Sequence, residues 1–240
     1  MQELNVFPDV NQLNIALSQA IVNELERLSK SGRKSLTIGI SGGRTPLGLF
    51  SLLLEKHLDS PIWKQLEIFW VDERHVPFDD PESNYGNARS YLESLGIPLD
   101  QIHPMGANPD SSEAAIEYQE LLTQSKARRP HGEALFDLTL LGLGPDGHVA
   151  SLFPGTDHIQ DTELCKAAIQ PESGQARISL TLPALNSSNC CIFLASGSSK
   201  AEILSKVYHA NPNPDLPATL IDPVNKPIWF IDEDAAQLIG

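Results

Sequence analysis

The chain has 240 residues, 41% of them hydrophobic and 20% charged, with a formal net charge of −14 at pH 7, which predicts a folded globular protein and excludes a disordered one. The acidic charge opposes a nucleic-acid partner, because such binding relies on basic side chains, and no apolar run is long enough to predict a membrane span. Residues 1–5 carry no basic segment leading into an apolar stretch, so we expect no secretory signal, a cytoplasmic location and one domain over residues 1–240.

Apolar runs of strand length alternate with amphipathic stretches of helical length, which predicts an α/β fold with a mostly parallel sheet flanked by helices. The first helix is predicted from Val10 to Leu28, where apolar residues follow helical spacing, and Asp9 is placed to cap its start. The further predicted elements are a strand at 35–40, a helix at 46–58, strands at 66–71, 136–141, 177–182 and 190–195, a helix at 199–209 and a strand at 227–231. Segments rich in Pro, Asn, Asp, Ser and Gly predict loops at 77–87, 108–112, 156–162 and 211–217.

The three cysteines, Cys165, Cys190 and Cys191, are too few for a disulfide framework. No two of them have the two-residue spacing that is typical of a zinc or redox site. We therefore expect no metal at these residues and place Cys190 and Cys191 in a core strand.

The segment Ser41-Gly42-Gly43-Arg44-Thr45-Pro46 follows the strand predicted at 35–40. Adjacent glycines let backbone amides approach an anion, Pro46 suits the first turn of a helix, and a helix start favours phosphate. An ordinary strand-to-helix turn is the alternative interpretation. The segment lacks both the lysine of a P-loop and the dinucleotide fingerprint, so it predicts no nucleotide.

A second polar segment, Asp72-Glu73-Arg74-His75-Val76-Pro77, follows the strand predicted at 66–71. The planar guanidinium of Arg74 can orient a carboxylate or stabilise developing negative charge. The alternative is a surface ion pair between Arg74 and Asp72 or another carboxylate. We interpret His75 as structural and residues 79–80 as part of a solvated loop.

Two further cations, Lys200 and Arg177, are candidate ligands of an anion. Lys200 stands near the start of a predicted helix, where a positive charge opposes the helix dipole. A bound anion explains that placement better than helix stability does, although a solvent-facing lysine is the alternative. Arg177 heads a predicted strand and is either a second cation of the site or a solvated arginine at a strand end.

The most informative segment is Gly142–Gly155, with the sequence GLGPDGHVASLFPG, directly after the apolar run at 136–141. A buried strand that opens into a glycine-rich turn delivers His148 to the carboxyl edge of the sheet, where open α/β sheets bind their ligands. His148 is therefore the first candidate for the reactive group. Ser151 lacks the Gly-x-Ser-x-Gly elbow of a serine hydrolase, which favours direct attack by water.

The order and spacing of these segments resemble those of the 6-phosphogluconolactonases. The segments that carry the resemblance are 41–46, 72–77 with Ser83-Asn84, 136–155, 177–181 and 197–201. The resemblance implies a Rossmann-like α/β fold of the NagB/RpiA/CoA transferase-like kind. It also implies hydrolysis of 6-phosphoglucono-δ-lactone to 6-phosphogluconate, in the pentose phosphate pathway, without a metal or organic cofactor.

The resemblance assigns the catalytic role to His148 and places Asp72 and Arg74 in the active site. It implies that the substrate phosphate is surrounded by Ser41, Gly42, Gly43, Thr45, Arg177 and Lys200. Arg44 belongs to the same candidate set and stands where many relatives have a small hydroxyl residue.

The mechanism that we predict starts from neutral His148, which takes a proton from water. The resulting nucleophile attacks the lactone carbonyl, and Arg74 with nearby amides stabilises the oxyanion. An imidazole suits this work because both of its protonation states are accessible near neutral pH. Either Asp72 or Asp146 orients the ring.

A glucosamine-6-phosphate deaminase is the main alternative, because such enzymes also bind a sugar phosphate and share the first glycine segment. Deaminases continue from the histidine to Asn-Glu-Pro-Gly, whereas this chain has Leu152-Phe153-Pro154-Gly155. Phe153 cannot perform the acid–base chemistry of that glutamate, and Arg74 stands where deaminases more often have an aromatic residue. A noncatalytic sensor of sugar phosphates is the other alternative, and a monomer is the expected state.

Overall fold

The computed structural model describes residues 3–239, except that the side chains of Arg44, Thr45 and His158 lie outside the described part. In chain order its strands are β1 (Glu3–Phe7), β2 (Leu36–Ile40), β3 (Leu66–Trp70), β4 (Asp72–Arg74), β5 (Ile102–His103), β6 (Leu138–Gly142), β7 (Cys165–Ile169), β8 (Ala176–Leu180), β9 (Cys191–Ala195) and β10 (Ile228–Asp232). Its helices are α1 (Val10–Lys30), α2 (Arg44–His57), α3 (Asn84–Ser94), α4 (Ser111–Arg128), α5 (Leu182–Asn186), α6 (Ala201–His209) and α7 (Glu233–Ala236).

Seven parallel strands form the central sheet, in the order β1-β10-β9-β6-β2-β3-β5. The inner strands β2 and β9 are buried at every position, as strands covered on both faces by helices must be. α1 packs one apolar face inward, and the side chain of Asp9 caps its start by accepting a hydrogen bond from the Gln12 amide at 2.8 Å. The predicted Rossmann-like, mostly parallel α/β fold is therefore confirmed.

A smaller antiparallel sheet, in the order β4-β8-β7, lies beside the central one. Val71 connects the two sheets, because its amide donates to Ile40 O at 2.9 Å while its carbonyl accepts from the Leu180 amide at 2.8 Å. The chain thus leaves the central sheet at the carboxyl end of β3 and enters β4. This bend places the segment after β3 beside the carboxyl edge of the central sheet.

Several sequence predictions need correction. The strand predicted at 177–182 is present as β8 in the antiparallel sheet, but it ends at Leu180 and α5 begins at Leu182. The loops predicted at 77–87 and 108–112 run into α3 and α4, which begin at Asn84 and Ser111. β1, β4, β5 and β7 were not predicted, because β4 and β5 are only 3 and 2 residues long and β1 and β7 are largely exposed or half-buried. None of the helices within residues 3–239 has the length and apolar character that crossing a lipid bilayer requires.

Candidate active site

A cavity of about 740 Å³ opens at the carboxyl edge of the central sheet, between that edge and the antiparallel sheet. The residues predicted from the sequence that line it are Ser41, Gly42, Asp72, Arg74, His148, Arg177 and Lys200. Gly43 lines an adjoining cavity of about 180 Å³, which shares Ser41, Gly42 and Lys200 with the larger one. The side chains of Arg44 and Thr45 lie outside the described residues, so their predicted contacts stay predictions.

His148 lies in a tight turn that follows β6. The Gly144 amide donates to His148 O at 2.9 Å, which closes the turn. The imidazole lies against the backbone of Gly144, since a Cβ built on that residue would be 2.1 Å from His148 Nδ1. The imidazole can therefore occupy this place only if residue 144 is glycine.

Asp146 fixes the orientation of this imidazole. Its Oδ1 lies 2.5 Å from His148 Nδ1 and also accepts the His148 amide at 3.1 Å. Because a carboxylate only accepts hydrogen bonds, Nδ1 carries the proton and the neutral ring keeps a free lone pair on Nε2. Among the described residues, no group is hydrogen-bonded to Nε2, and Phe153 packs against the ring with centroids 4.9 Å apart. The ring thus presents a base to the cavity.

Asp72 has a different partner. The buried hydroxyl of Ser151 donates to Asp72 Oδ2 at 2.7 Å, and the Ser151 amide donates to Ser179 Oγ at 3.0 Å. Ala150, just before, adopts a left-handed φ of 51°, which a non-glycine residue rarely does. Ser151 therefore connects the loop that carries His148 to the antiparallel sheet, and its hydroxyl proton is used in the hydrogen bond to Asp72. Of the two carboxylates considered from the sequence, Asp146 is the one in contact with the imidazole.

Arg74 and Arg177 occupy directly opposed positions of β4 and β8, and both line the cavity. Arg74 Nη1 donates to Glu82 O at 2.6 Å, while Arg177 Nε is buried without a hydrogen-bond partner among the described residues. Burial lowers the pKa of Arg177, and the neighbouring charge of Arg74 adds to that effect while Asp72 opposes it. Like charges opposed across two strands destabilise a sheet. An anion bound beside this pair would therefore reduce the repulsion between the two guanidinium groups.

Lys200 supplies a third cation. Its Nζ donates to Leu143 O at 2.7 Å, and burial lowers its pKa while Asp146 opposes the shift. Gly43, the residue before α2, has a φ of 102°, which favours glycine, and it provides no side-chain cap. Within the described part of the chain, no side chain caps the N-terminus of α2, where the helix dipole favours negative charge. Lys200 and this helix start meet at the smaller cavity.

Some wall residues were not identified as site residues from the sequence. The turn between β7 and β8 contributes Gln170, Glu172, Ser173 and Gln175, and no signal marked them, because β7 itself was not predicted. Asn84 lines the cavity and donates through Nδ2 to Asp72 O at 2.9 Å. It entered the sequence analysis only as part of the resemblance.

Comparison with known proteins gives the family. The family model described as glucosamine-6-phosphate isomerases/6-phosphogluconolactonase matches residues 8–229. A 6-phosphogluconolactonase of Synechocystis sp. is 36% identical over 93% of each chain, and one of Homo sapiens is 35% identical over 98% of this chain and 93% of its own. The crystal structure of the 6-phosphogluconolactonase from Thermotoga maritima superposes with a TM-score of 0.84 at 28% identity, covering 97% of this chain and 100% of its own. The chain belongs to the family of glucosamine-6-phosphate isomerases and 6-phosphogluconolactonases and, within it, to the 6-phosphogluconolactonases.

Proposed function

We propose that the chain hydrolyses 6-phospho-D-glucono-1,5-lactone to 6-phospho-D-gluconate, the second step of the oxidative pentose phosphate pathway, using water that His148 activates. The observation that carries the proposal is the pairing of His148 Nδ1 with Asp146 at 2.5 Å, because in the neutral ring this pairing puts the free lone pair on Nε2, and His148 lines the cavity. The three cations of the same wall suit a phosphorylated substrate. The names of the relatives support the same reaction.

The chemistry proceeds in two steps. In the first, Nε2 of His148 accepts a proton from water while the water oxygen bonds to the lactone carbonyl carbon, and the carbonyl oxygen becomes an oxyanion. Arg74 and nearby backbone amides stabilise that charge. In the second, the bond between the carbonyl carbon and the ring oxygen breaks, and protonated His148 returns its proton to the departing oxygen. Asp146 stabilises the imidazolium in between, and the product carboxylic acid releases its proton to solvent.

Binding of the phosphate falls to Lys200, Arg177 and the amides of the glycine segment that starts α2. The formal charge of −14 repels an anion only weakly at physiological salt, where screening acts over about 8 Å. Cations within contact distance therefore decide the affinity. Our proposed place for the phosphate is where the smaller cavity, lined by Lys200 and Gly43, joins the larger one, which Arg177 lines.

His148→Ala tests the catalytic assignment. Loss of the general base reduces kcat by about a hundredfold to ten-thousandfold, with a modest change in KM. The measurement is a coupled assay with freshly generated lactone, corrected for spontaneous opening, on protein whose folding is checked by circular dichroism. His131→Ala, which changes an exposed histidine outside the cavity, is the matched control. Near-normal turnover by folded His148→Ala rejects the assignment.

Lys200→Ala tests the phosphate site. Removing this cation raises KM for the lactone and weakens binding of 6-phosphogluconate, while kcat changes less. Lys206→Ala, an exposed lysine of the same helical region, is the control and keeps both values. Unchanged KM and product affinity in Lys200→Ala remove Lys200 from the phosphate site.

The same preparation distinguishes the other functions. We expect lactone opening without release of ammonia from glucosamine 6-phosphate, because the buried Phe153 beside His148 supplies no acid–base group. Ammonia release identifies a deaminase, and binding without either reaction identifies a sensor. The proposal includes a cytoplasmic monomer, for which light scattering gives the chain mass of 26.2 kDa.

A further inference from the structure

Glu73 is a buried carboxylate that the proposed reaction does not use. It lies in β4 between Asp72 and Arg74 and is 1% exposed. Its Oε1 accepts the amides of Arg74 and Asn84, both at 2.7 Å, and its Oε2 accepts the Tyr85 amide at 2.8 Å. The Ser83 hydroxyl donates to the same Oε2 at 3.2 Å. One side chain therefore joins the end of β4 to the start of α3.

The segment closed by this carboxylate carries cavity residues at both ends. Arg74 stands at one end, and its guanidinium is held by Glu82 O at 2.6 Å. Asn84 stands at the other end and contacts the backbone of Asp72 through Nδ2. Because backbone amides of both Arg74 and Asn84 bind the same oxygen of Glu73, the positions of the two residues at the cavity wall depend on that oxygen.

Burying the charged carboxylate of Glu73 lowers the stability of the folded chain. Burial raises the pKa of Glu73 above its ordinary range, and the amides of Tyr85, Asn84 and Arg74 oppose that shift by stabilising the carboxylate. Capping α3 alone needs no such group, since Ser83 already caps the helix by accepting the Gly86 amide at 2.9 Å. Glu73 also accepts the Arg74 amide, and this contact reaches back to the cavity side of the segment.

We propose that Glu73 is a positioning residue of the active site: its carboxylate holds the backbone of Arg74 and of Asn84, and so sets where their side chains meet the substrate, without contacting the substrate itself. This inference rests on the proposed lactone hydrolysis, because Arg74 acts on the oxyanion of that reaction. Glu73, like Asp146, acts only through its neighbours.

The test is a double-mutant cycle between Glu73→Gln and Arg74→Ala. Glutamine keeps the size of the side chain but removes its charge and turns an amide nitrogen toward either the Tyr85 amide or the amides of Arg74 and Asn84, so the side chain no longer accepts all three. We expect Glu73→Gln to lower kcat/KM by about tenfold to a hundredfold, the effect of misplacing a catalytic group by about 1 Å. Arg74→Ala then reduces kcat/KM much less in the Glu73→Gln background than in the wild type, because the guanidinium is already displaced.

Asp137→Asn is the matched control for a purely structural loss. Asp137 is also 1% exposed, accepts the Thr37 amide at 2.9 Å and pairs with Arg129, but it precedes β6 at the opposite edge of the sheet. We expect it to lower the midpoint of thermal unfolding while kcat/KM stays normal below that midpoint. If Glu73→Gln behaves in the same way, or if the Arg74→Ala penalty is equal in both backgrounds, the proposal is overturned.

Glu73→Asp is the variant to use in the same double-mutant cycle if Glu73→Gln does not fold. It retains the charge, but its shorter side chain cannot reach both Arg74 and the start of α3, so the same loss of kcat/KM and the same non-additivity with Arg74→Ala are expected. Normal kcat/KM in folded Glu73→Asp overturns the proposal. A wild-type chain that binds the product but does not hydrolyse the lactone refutes the proposed function, and this inference with it. Hydrolysis by the wild type with additive variants refutes the positioning role alone.

Discussion

The position of the imidazole depends on an absent side chain. His148 packs against Gly144 so closely that a methyl group there would overlap Nδ1, the atom that Asp146 holds. Gly144 is not among the glycines with positive φ, so its backbone conformation itself would accept alanine. The requirement for glycine at this position therefore comes from the His148 ring and not from the fold of the turn.

Gly144→Ala should consequently affect catalysis more than stability. We expect the imidazole to move away from Asp146 and kcat to fall by about tenfold to a hundredfold, since a misplaced base loses its alignment. KM should change little, because Lys200 and Arg177 lie outside this contact. Steady-state kinetics and the thermal unfolding midpoint of the variant check the expectation. A variant with wild-type kcat would show that the ring position is not set by Gly144.

At the scale of elements, the turn between β7 and β8 forms one wall of the cavity. Gln175 Nε2 donates to Glu82 Oε2 at 2.7 Å, which joins this turn to the segment before α3. The contact is exposed, so it contributes about 1 kcal/mol. This contact helps to set the shape of the cavity mouth, and it does not involve the groups of the proposed reaction.

Gln175→Ala should therefore raise KM for the lactone without changing kcat. A loss of about 1 kcal/mol corresponds to a rise of roughly fivefold at most. Gln237→Ala, which removes a comparable exposed amide contact to Asp234 in α7, is the control and should leave both constants unchanged. A lower kcat in Gln175→Ala, with KM unaltered, would contradict this account of the turn.

The elements that sequence reasoning identified are those whose burial is visible in the sequence itself. β2, β6 and β9 are covered on both faces and read as continuous apolar runs, and α1 has a regular apolar face and a cap. α3 and α4 were missed because few of their positions are buried apolar residues, and half of those are the small residues Ala88, Ala114 and Ala115. Their helical state is fixed by packing, which single-sequence patterns reflect weakly.

The same division applies to the site. His148, Asp72 and Arg74 could be proposed because each follows a recognisable strand, and strand ends converge at one edge. The role inferred for Glu73 could not be read from the sequence, because it depends on amides of Asn84 and Tyr85 that only the fold brings close. Nor could the sequence choose between the two carboxylates that might orient the imidazole, since that choice is a matter of side-chain geometry.

At the scale of the whole molecule, burial controls the reactivity of the thiols. All three cysteines are free. Burial raises the pKa of Cys165 and of Cys191 to about 12 and that of Cys190 to about 11. Because only the thiolate reacts, these groups are protected in the folded protein at pH 8 and become reactive only when it opens.

Alkylation by iodoacetamide should therefore report unfolding. We expect very slow labelling of the native chain at pH 8, followed by mass spectrometry, and rapid labelling of all three cysteines in urea. In the native chain the rate should rise with pH toward the raised pKa values, first at the half-buried Cys190. Rapid labelling of the folded protein at pH 8, or loss of lactonase activity before unfolding, would contradict this expectation.

The bend at Val71 divides the groups of the proposed reaction between the two sheets. The imidazole is carried by the loop after β6 in the central sheet, whereas Arg74 and Arg177 are carried by the antiparallel sheet, and Ser151 and Val71 bridge the two. The alignment of the proposed base, His148, with the proposed oxyanion stabiliser, Arg74, therefore depends on how the two sheets pack together. Substitutions that weaken the packing between the two sheets, even far from the substrate, should lower kcat before they unfold the chain. A fall in kcat therefore reports a change in how the two sheets pack.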